Sequence, residues 1–163
     1  MPFIEQAIAD AKEDVCVPEG AYDLTIIQAE LKLSKKAQER GEEEENMIQV
    51  MIKIESEEYP NAATLFHHVM LVKDPDYEYN HLWLRDQKRF LVLFGIPHEG
   101  TGYDLDDFAG ATAKQVLLKV DTNDRDEEQN ILVLPKVDVE EDEEEKGGRR
   151  ASGRSAGKPV RRR

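Results

Sequence analysis

The chain has 163 residues, 39% of them hydrophobic and 35% charged, with a formal net charge of -13. That length suits one domain with appendages rather than several domains. A lone cysteine, Cys16, excludes an intrachain disulfide and argues against a thiolate metal site, and no apolar run is long enough to cross a membrane.

The net charge divides into three blocks. Residues 1–137 carry 14 Lys/Arg against 28 Asp/Glu, residues 138–145 (DVEEDEEE) carry seven acids and no base, and residues 146–163 carry eight bases and no acid. An acidic body repels phosphate backbones at long range. Any contact with nucleic acid must then rest on local cations, on stacking, or on the basic end. The N-terminus lacks a basic segment followed by an apolar stretch, so no secretory signal is expected and the expected setting is the cytoplasm.

In chain order, residues 3–13 carry Phe3, Ile4, Ala7, Ile8 and Ala11 at helical spacing. The expectation is a short N-terminal helix that docks on the domain or serves as an interaction segment. Pro18-Glu19-Gly20 breaks that pattern and launches the first strand, residues 22–33. Its apolar phase changes partway: Leu24 and Ile26 are even, while Ile27, Ala29, Leu31 and Leu33 are odd. Side chains alternate faces along a strand, so the change predicts a bulge or sharp coil. Residues 34–46 (SKKAQERGEEEEN) read as a polar connection too charged to pack.

The second strand, residues 47–55, alternates cleanly, with Ile48, Val50, Ile52 and Ile54 on one face and Met47, Gln49, Met51 and Lys53 on the other. The third, residues 63–72, is apolar on both faces except for His67 and His68. A helix follows over residues 80–94, with the stripe Trp83, Leu84, Phe90, Leu91 and Phe94, Asn80 as its N-cap, and Gly95 then Pro97 as its stop. Residues 97–109 read as a Gly/Asp-rich loop. Val116, Leu118 and Val120 mark a fourth strand, residues 121–130 a hairpin loop, and Ile131, Val133 and Val137 a fifth strand. From Asp138 onward the composition predicts disorder. The expected organisation is an N-terminal helical segment (1–17), a domain (18–137), and an acidic-then-basic tail (138–163).

Strand-strand-strand-helix-strand-strand is the element order of an OB-fold: a mainly β, five-stranded barrel with one helix between strands three and four, plugging one end. The runs VPEGAYDLTIIQAELK (17–32), NMIQVMIKIE (46–55), ATLFHHVMLV (63–72), KRFLVLFGIP (88–97), FAGATAKQVLLKV (108–120) and NILVLPKV (130–137) carry a more specific likeness. Over residues 15–137 the chain resembles a family of phage and prophage proteins from replication and recombination gene cassettes, regarded as OB-fold single-stranded-DNA-binding proteins. The resemblance implies sequence-nonspecific binding of single-stranded DNA, phage or host replication and recombination proteins as further partners, and action in the host bacterial cytoplasm. The chain departs from the acidic ending usual in such proteins, because a basic run, RRASGRSAGKPVRRR (149–163), follows the acidic one.

Site residues follow from the OB-fold reading. The loop after strand one borders the ligand cleft in such folds, which nominates Lys32, Lys35, Lys36 and Arg40 for phosphate contacts; the plain alternative is a solvated loop whose bases pair with Glu42 to Glu45. The Leu65/Val69/Leu71 side of strand three makes the better core, so Phe66 and His68 are assigned outward. They join Gln49, Met51 and Lys53 on a face suited to stacking and phosphate contact. The competing reading buries Phe66 and Met70 under the N-terminal helix or a dimer partner. Arg149, Arg150, Arg161, Arg162 and Arg163 could bind nucleic acid without sequence preference.

His67 and His68 are adjacent on a strand, point to opposite faces and cannot chelate one ion together. Residues 121–128 lack a calcium loop's central Gly and place Arg125 at a ligand position. No phosphate cradle or nucleophile elbow is present. The expectation is therefore a binding protein, not an enzyme, with no metal, cofactor or membrane partner. The alternative function is an acidic OB-fold interaction module, an adaptor or DNA-mimic inhibitor with no direct DNA binding.

Overall fold

The computed structural model describes residues 2–100 and 102–137. The predicted disorder of the tail falls outside those residues, as do Arg149, Arg150, Arg161, Arg162 and Arg163. The protein is mainly β: one five-stranded antiparallel sheet curls into a half-barrel around the core. Its strands are β1 (Gly20–Lys32), β2 (Met47–Glu55), β3 (Leu65–Met70), β6 (Thr112–Thr122) and β7 (Glu128–Leu132), in the spatial order β3-β2-β1-β6-β7. A small hairpin of β4 (His98–Glu99) and β5 (Gly102–Tyr103) stands apart, in the stretch expected to be loop. The two helices are α1 (Lys35–Glu39) and α2 (Asn80–Leu93).

β1 holds the sheet together because it pairs on both edges. Its register with β2 runs from Asp23↔Glu55 to Lys32↔Met47, and with β6 from Gly20↔Leu118 to Thr25↔Thr112. The register against β2 shifts between Ile26 and Gln28, so Ile27 is the extra residue that the change of apolar phase foretells. The bulge turns Ile27 outward while keeping Leu24 and Ile26 buried. A second shift, between Tyr22 and Leu24 against β6, lies opposite Gln115, a non-glycine residue at φ 51. The Asp23 carboxylate accepts from Gln115 N at 3.0 Å, which fixes this left-handed backbone. That hydrogen bond, with Lys114 nearby, holds the carboxyl below the usual carboxylate range.

The core face is built as alternation dictates. Ile48, Val50, Ile52 and Ile54 of β2 are buried with Leu65 and Val69 of β3 and Ala113, Val116 and Leu118 of β6. Each large aliphatic side chain among them contributes about 1.5–3 kcal/mol through burial. β3 is shorter than expected, and β7 begins at Glu128 rather than near Ile131. The hairpin loop is correspondingly tighter: Asn123 Oδ1 accepts from Arg125 N and Glu127 N, and Asp126 takes φ 62.

α2 closes part of the core, though not through the whole expected stripe. Gln87, Phe90 and Leu91 are its buried residues, followed by Phe94 at its C-cap. Phe90 stacks on His67 at 5.2 Å and Phe108 at 5.8 Å between ring centroids, and meets Phe94 at 4.8 Å. Leu84 is 54% exposed and Trp83 is only half-buried. Asn80 is the first helical residue rather than the N-cap, which is Tyr79 without a side-chain cap. Gly95 ends the helix as expected. At φ 64 it donates to Val92 O, and Ile96 N donates to Leu91 O, a Schellman arrangement that needs a left-handed residue.

The expected N-terminal helix is absent: residues 3–13 contain a single 3-10 turn, Ile8–Asp10, and Phe3 and Ile4 are 90% and 75% exposed. Without a full helix and a surface to cover, helical spacing alone does not bury these residues. The chain docks from Val15 onward. Val15 N donates to Asn61 O, and Ala63 N to Val15 O. Val17 N donates to Asn130 Oδ1 at 3.0 Å, and Asn130 Nδ2 returns a bond to Val17 O at 2.8 Å. This buried reciprocal pair ties the chain's entry to β7. Among the described residues no helix is long and apolar enough to cross a membrane.

Candidate functional site

The pairing of β1, β2 and β3 decides which outward side chains become neighbours. Directly opposed residues in an antiparallel pair share a face. Phe66 opposes Met51 and His68 opposes Gln49 across β2–β3, and on the other edge of β2, Gln28 opposes Met51 and Glu30 opposes Gln49. The outward face therefore carries one row of Gln28, Met51 and Phe66 and a second of Glu30, Gln49 and His68. Gln49 Nε2 and His68 Nε2 lie 3.3 Å apart. Phe66 is 50% exposed, with its ring on the surface, while Leu65 and Val69 on the same strand are buried. His67 points inward against Phe90. Burial first, and then the His68 charge, pushes its pKa down to about 4 against a smaller upward pull from Asp86, so its imidazole is neutral at ordinary pH. The structure thus brings together Gln49, Met51, Phe66 and His68, with Lys53 exposed at the margin.

The cations are divided. Lys32 pairs with Glu30 at 3.1 Å, Lys53 with Glu55 at 3.3 Å, and Arg40 with Glu42 at 2.7 Å, all on exposed side chains. Such pairs are worth about 0–1 kcal/mol each, so a phosphate can compete for these cations at small cost. Lys35 and Lys36 are exposed and make no ion pair within 4.0 Å among the described residues.

Sequence reasoning misses the local structure that positions these lysines. Residues 34–46, expected to be an unpacked connection, contain α1 and the fully buried Ala37. Ser34 caps the helix, its Oγ accepting from Ala37 N at 3.2 Å, and Asn46 clamps Ser34 by accepting from its backbone N at 2.9 Å and donating to its Oγ at 3.1 Å. The available signal is a serine directly ahead of good helix formers, KKAQE.

Two clefts of nearly equal size flank β3. One, of about 520 Å³, is the open seam between β3 and β7, and its lining includes Asp14, Cys16 and Glu128 but no lysine or arginine. Its lining also takes in Phe66 and His68 of the outward row, and burial, then Glu128, raises the Cys16 thiol above its ordinary pKa. The other, of about 530 Å³, lies between α1 and the start of α2, with Lys36, Arg40 and Lys73 beside Tyr77 and Trp83 in its walls. Sequence patterning nominates none of Lys73, Tyr77 or Trp83 for the site, because residues 73–79 carry no regular pattern and Trp83 reads as core.

The chain belongs to a family of proteins of unknown function, DUF669, whose model matches residues 5–147. No curated protein and no solved structure matches it.

Proposed function

We propose that this protein binds single-stranded DNA without sequence preference and acts in phage DNA replication or recombination, working in the bacterial cytoplasm beside phage or host replication proteins. The observation that carries this reading is the outward face of β2–β3, where the exposed Phe66 ring stands against the half-buried Met51 beside Gln49 and His68, with cations at its border. Aromatic platforms serve single strands of any sequence, since every base has a π-face.

The fold supports the reading at a second level. Counting only the strands of the main sheet, the order is third, second, first, fourth, fifth, with the first strand long, bent and paired on both edges. α2 lies between the third and fourth of these strands. An OB-fold barrel opened between its third and fifth strands has this order, and such folds take oligonucleotides on the strand-two/strand-three face.

One observation favours the alternative, an acidic interaction module with no direct DNA binding: the body is strongly acidic, and Lys32, Arg40 and Lys53 are each engaged by a neighbouring glutamate. Fluorescence anisotropy of labelled oligo-dT at two salt concentrations separates the two readings. Binding that weakens with salt by a slope of about -0.7 per phosphate contact on a single strand supports the first. No binding at low salt overturns it in favour of the second.

A further inference from the structure

The cleft between α1 and α2 has a chemistry that the β2–β3 face lacks. Its volume of about 530 Å³ falls within the roughly 300–1,000 Å³ range of small-ligand sites. One wall is aromatic: the Tyr77 and Trp83 rings lie 4.9 Å apart at 48°, and neither residue belongs to the hydrophobic core. The lining also carries cations, beside the acidic Glu42 and Asp74: Lys36 makes no ion pair among the described residues, and Lys73 is held only loosely, at 4.0 Å from Glu44. Asn80, in the same lining, donates its Nδ2 to Asp74 O, while its Oδ1 is buried and accepts no hydrogen bond. With its Oδ1 closed to solvent, Asn80 lines the pocket without offering a ligand an acceptor.

A flat aromatic body and a phosphate are the two groups these walls complement, and a nucleotide carries both. We infer that this cleft is a pocket for one nucleotide of a bound single strand, with the base against Trp83 and Tyr77 and the phosphate between Lys36 and Lys73. The inference rests on the single-strand reading above and extends it to residues beyond the β2–β3 face. Position supports the extension. Phe66, His68 and Met70 alternate outward along β3, and Met70 is itself in the cleft lining. A strand lying along that row runs off the end of β3 into the pocket. Arg40 and Glu42 also line the cleft as an ion pair, so Arg40 becomes available to phosphate only by exchanging its partner.

Trp83 is the sole tryptophan, which makes the full-length protein its own probe. The experiment titrates it with labelled oligo-dT, reading anisotropy of the DNA and emission of Trp83 together, and separately with thymidine monophosphate. The expected results are saturable quenching of Trp83 that tracks DNA binding, a loss of about tenfold or more in affinity for Trp83→Ala, and a salt slope reduced by about 0.7, the share of one phosphate, for Lys36→Gln with Lys73→Gln. The double lysine variant changes only exposed side chains, so it reads the pocket even if Trp83→Ala folds poorly. DNA binding with unchanged Trp83 emission and an unchanged salt slope in the lysine variant overturns the pocket and leaves the β2–β3 face standing. Quenching by the mononucleotide without oligo-dT binding supports the pocket and overturns the single-strand reading. No response to either ligand overturns both.

Discussion

The two halves of α2 do different work. From Gln87 to Phe94 the helix is an anchor: Phe90, Leu91 and Phe94 are buried, and Phe90 is stacked between His67 and Phe108. From Asn80 to Leu84 it is a wall, with Trp83 half-buried in a cleft, Leu84 exposed and Asn80 Oδ1 unsatisfied. Trp83, Gln87, Phe90 and Phe94 share one helical face by spacing, yet that face changes role along its length. Trp83 lines clefts with His67, His68, Val69 and Met70 of β3 without joining the hydrophobic core.

The largest expected effect lies in the anchoring half. Phe90→Ala removes the centre of the aromatic stack and destabilises by about 3–5 kcal/mol, a large share of the stability of one domain. A chemical denaturation midpoint little changed from that of the parent protein contradicts the assignment of Phe90 as the anchor.

The second effect is on pH. His67 stacks on Phe90 with its pKa lowered to about 4 from 6.5. The unfolded chain then takes up a proton before the folded one, so this contribution to stability is constant above pH 6.5 and falls as the pH drops from 6.5 toward 4. The groups acting on His67 are His68 and Asp86, and the loss amounts to about 3 kcal/mol as the pH falls through that window. In His67→Phe this portion of the acid-side slope disappears from the stability–pH curve, while carboxylate titration remains. An unchanged slope contradicts a buried neutral imidazole.

Smaller still is the effect of Tyr103→Phe. Gln87 donates to Met70 O at 2.8 Å and accepts from the Tyr103 hydroxyl at 2.7 Å. This explains how an amide occupies a buried helix position. Removing the hydroxyl leaves Gln87 Oε1 without a donor and costs about 1–2 kcal/mol in the same denaturation assay. Trp83→Ala costs less stability than Phe90→Ala, because Trp83 is only half-buried and lies outside the core, although it ranks first for DNA affinity. That inversion between Phe90 and Trp83 is the sharpest expression of the difference between the two halves. Equal stability losses at the two positions erase it.

Much of the frame is legible from the residues. The alternation of Ile48, Val50, Ile52 and Ile54 assigns the faces of β2, and the phase change after Ile26 foretells the bulge at Ile27. The weighing of Leu65 and Val69 against Phe66 puts Phe66 outside. What escapes depends on contacts distant in sequence or on polar groups. Asn130 reads as loop because its role is to bond Val17, 113 residues away. Gln87 interrupts an apolar stripe because its partners are Met70 and Tyr103. α1 is hidden by its charge, although Ser34 and the buried Ala37 define it. The cleft joins residues from the two loops on either side of β2–β3, and no local pattern brings Lys36 beside Lys73 and Trp83.

Whether the residues up to Val137 bind single strands themselves is decided most directly by removing residues 138–163, which hold the acidic and the basic run. All core residues lie between Val17 and Leu118, with Leu132 and Leu134 packed against them, so a chain ending at Val137 keeps the whole core. This shortened chain is expected to bind labelled oligo-dT at low salt, with an affinity that falls as salt rises and falls further in Phe66→Ala. Binding by the full-length protein and none by the chain ending at Val137 contradicts a site on the folded body, and assigns the DNA contact to residues 138–163.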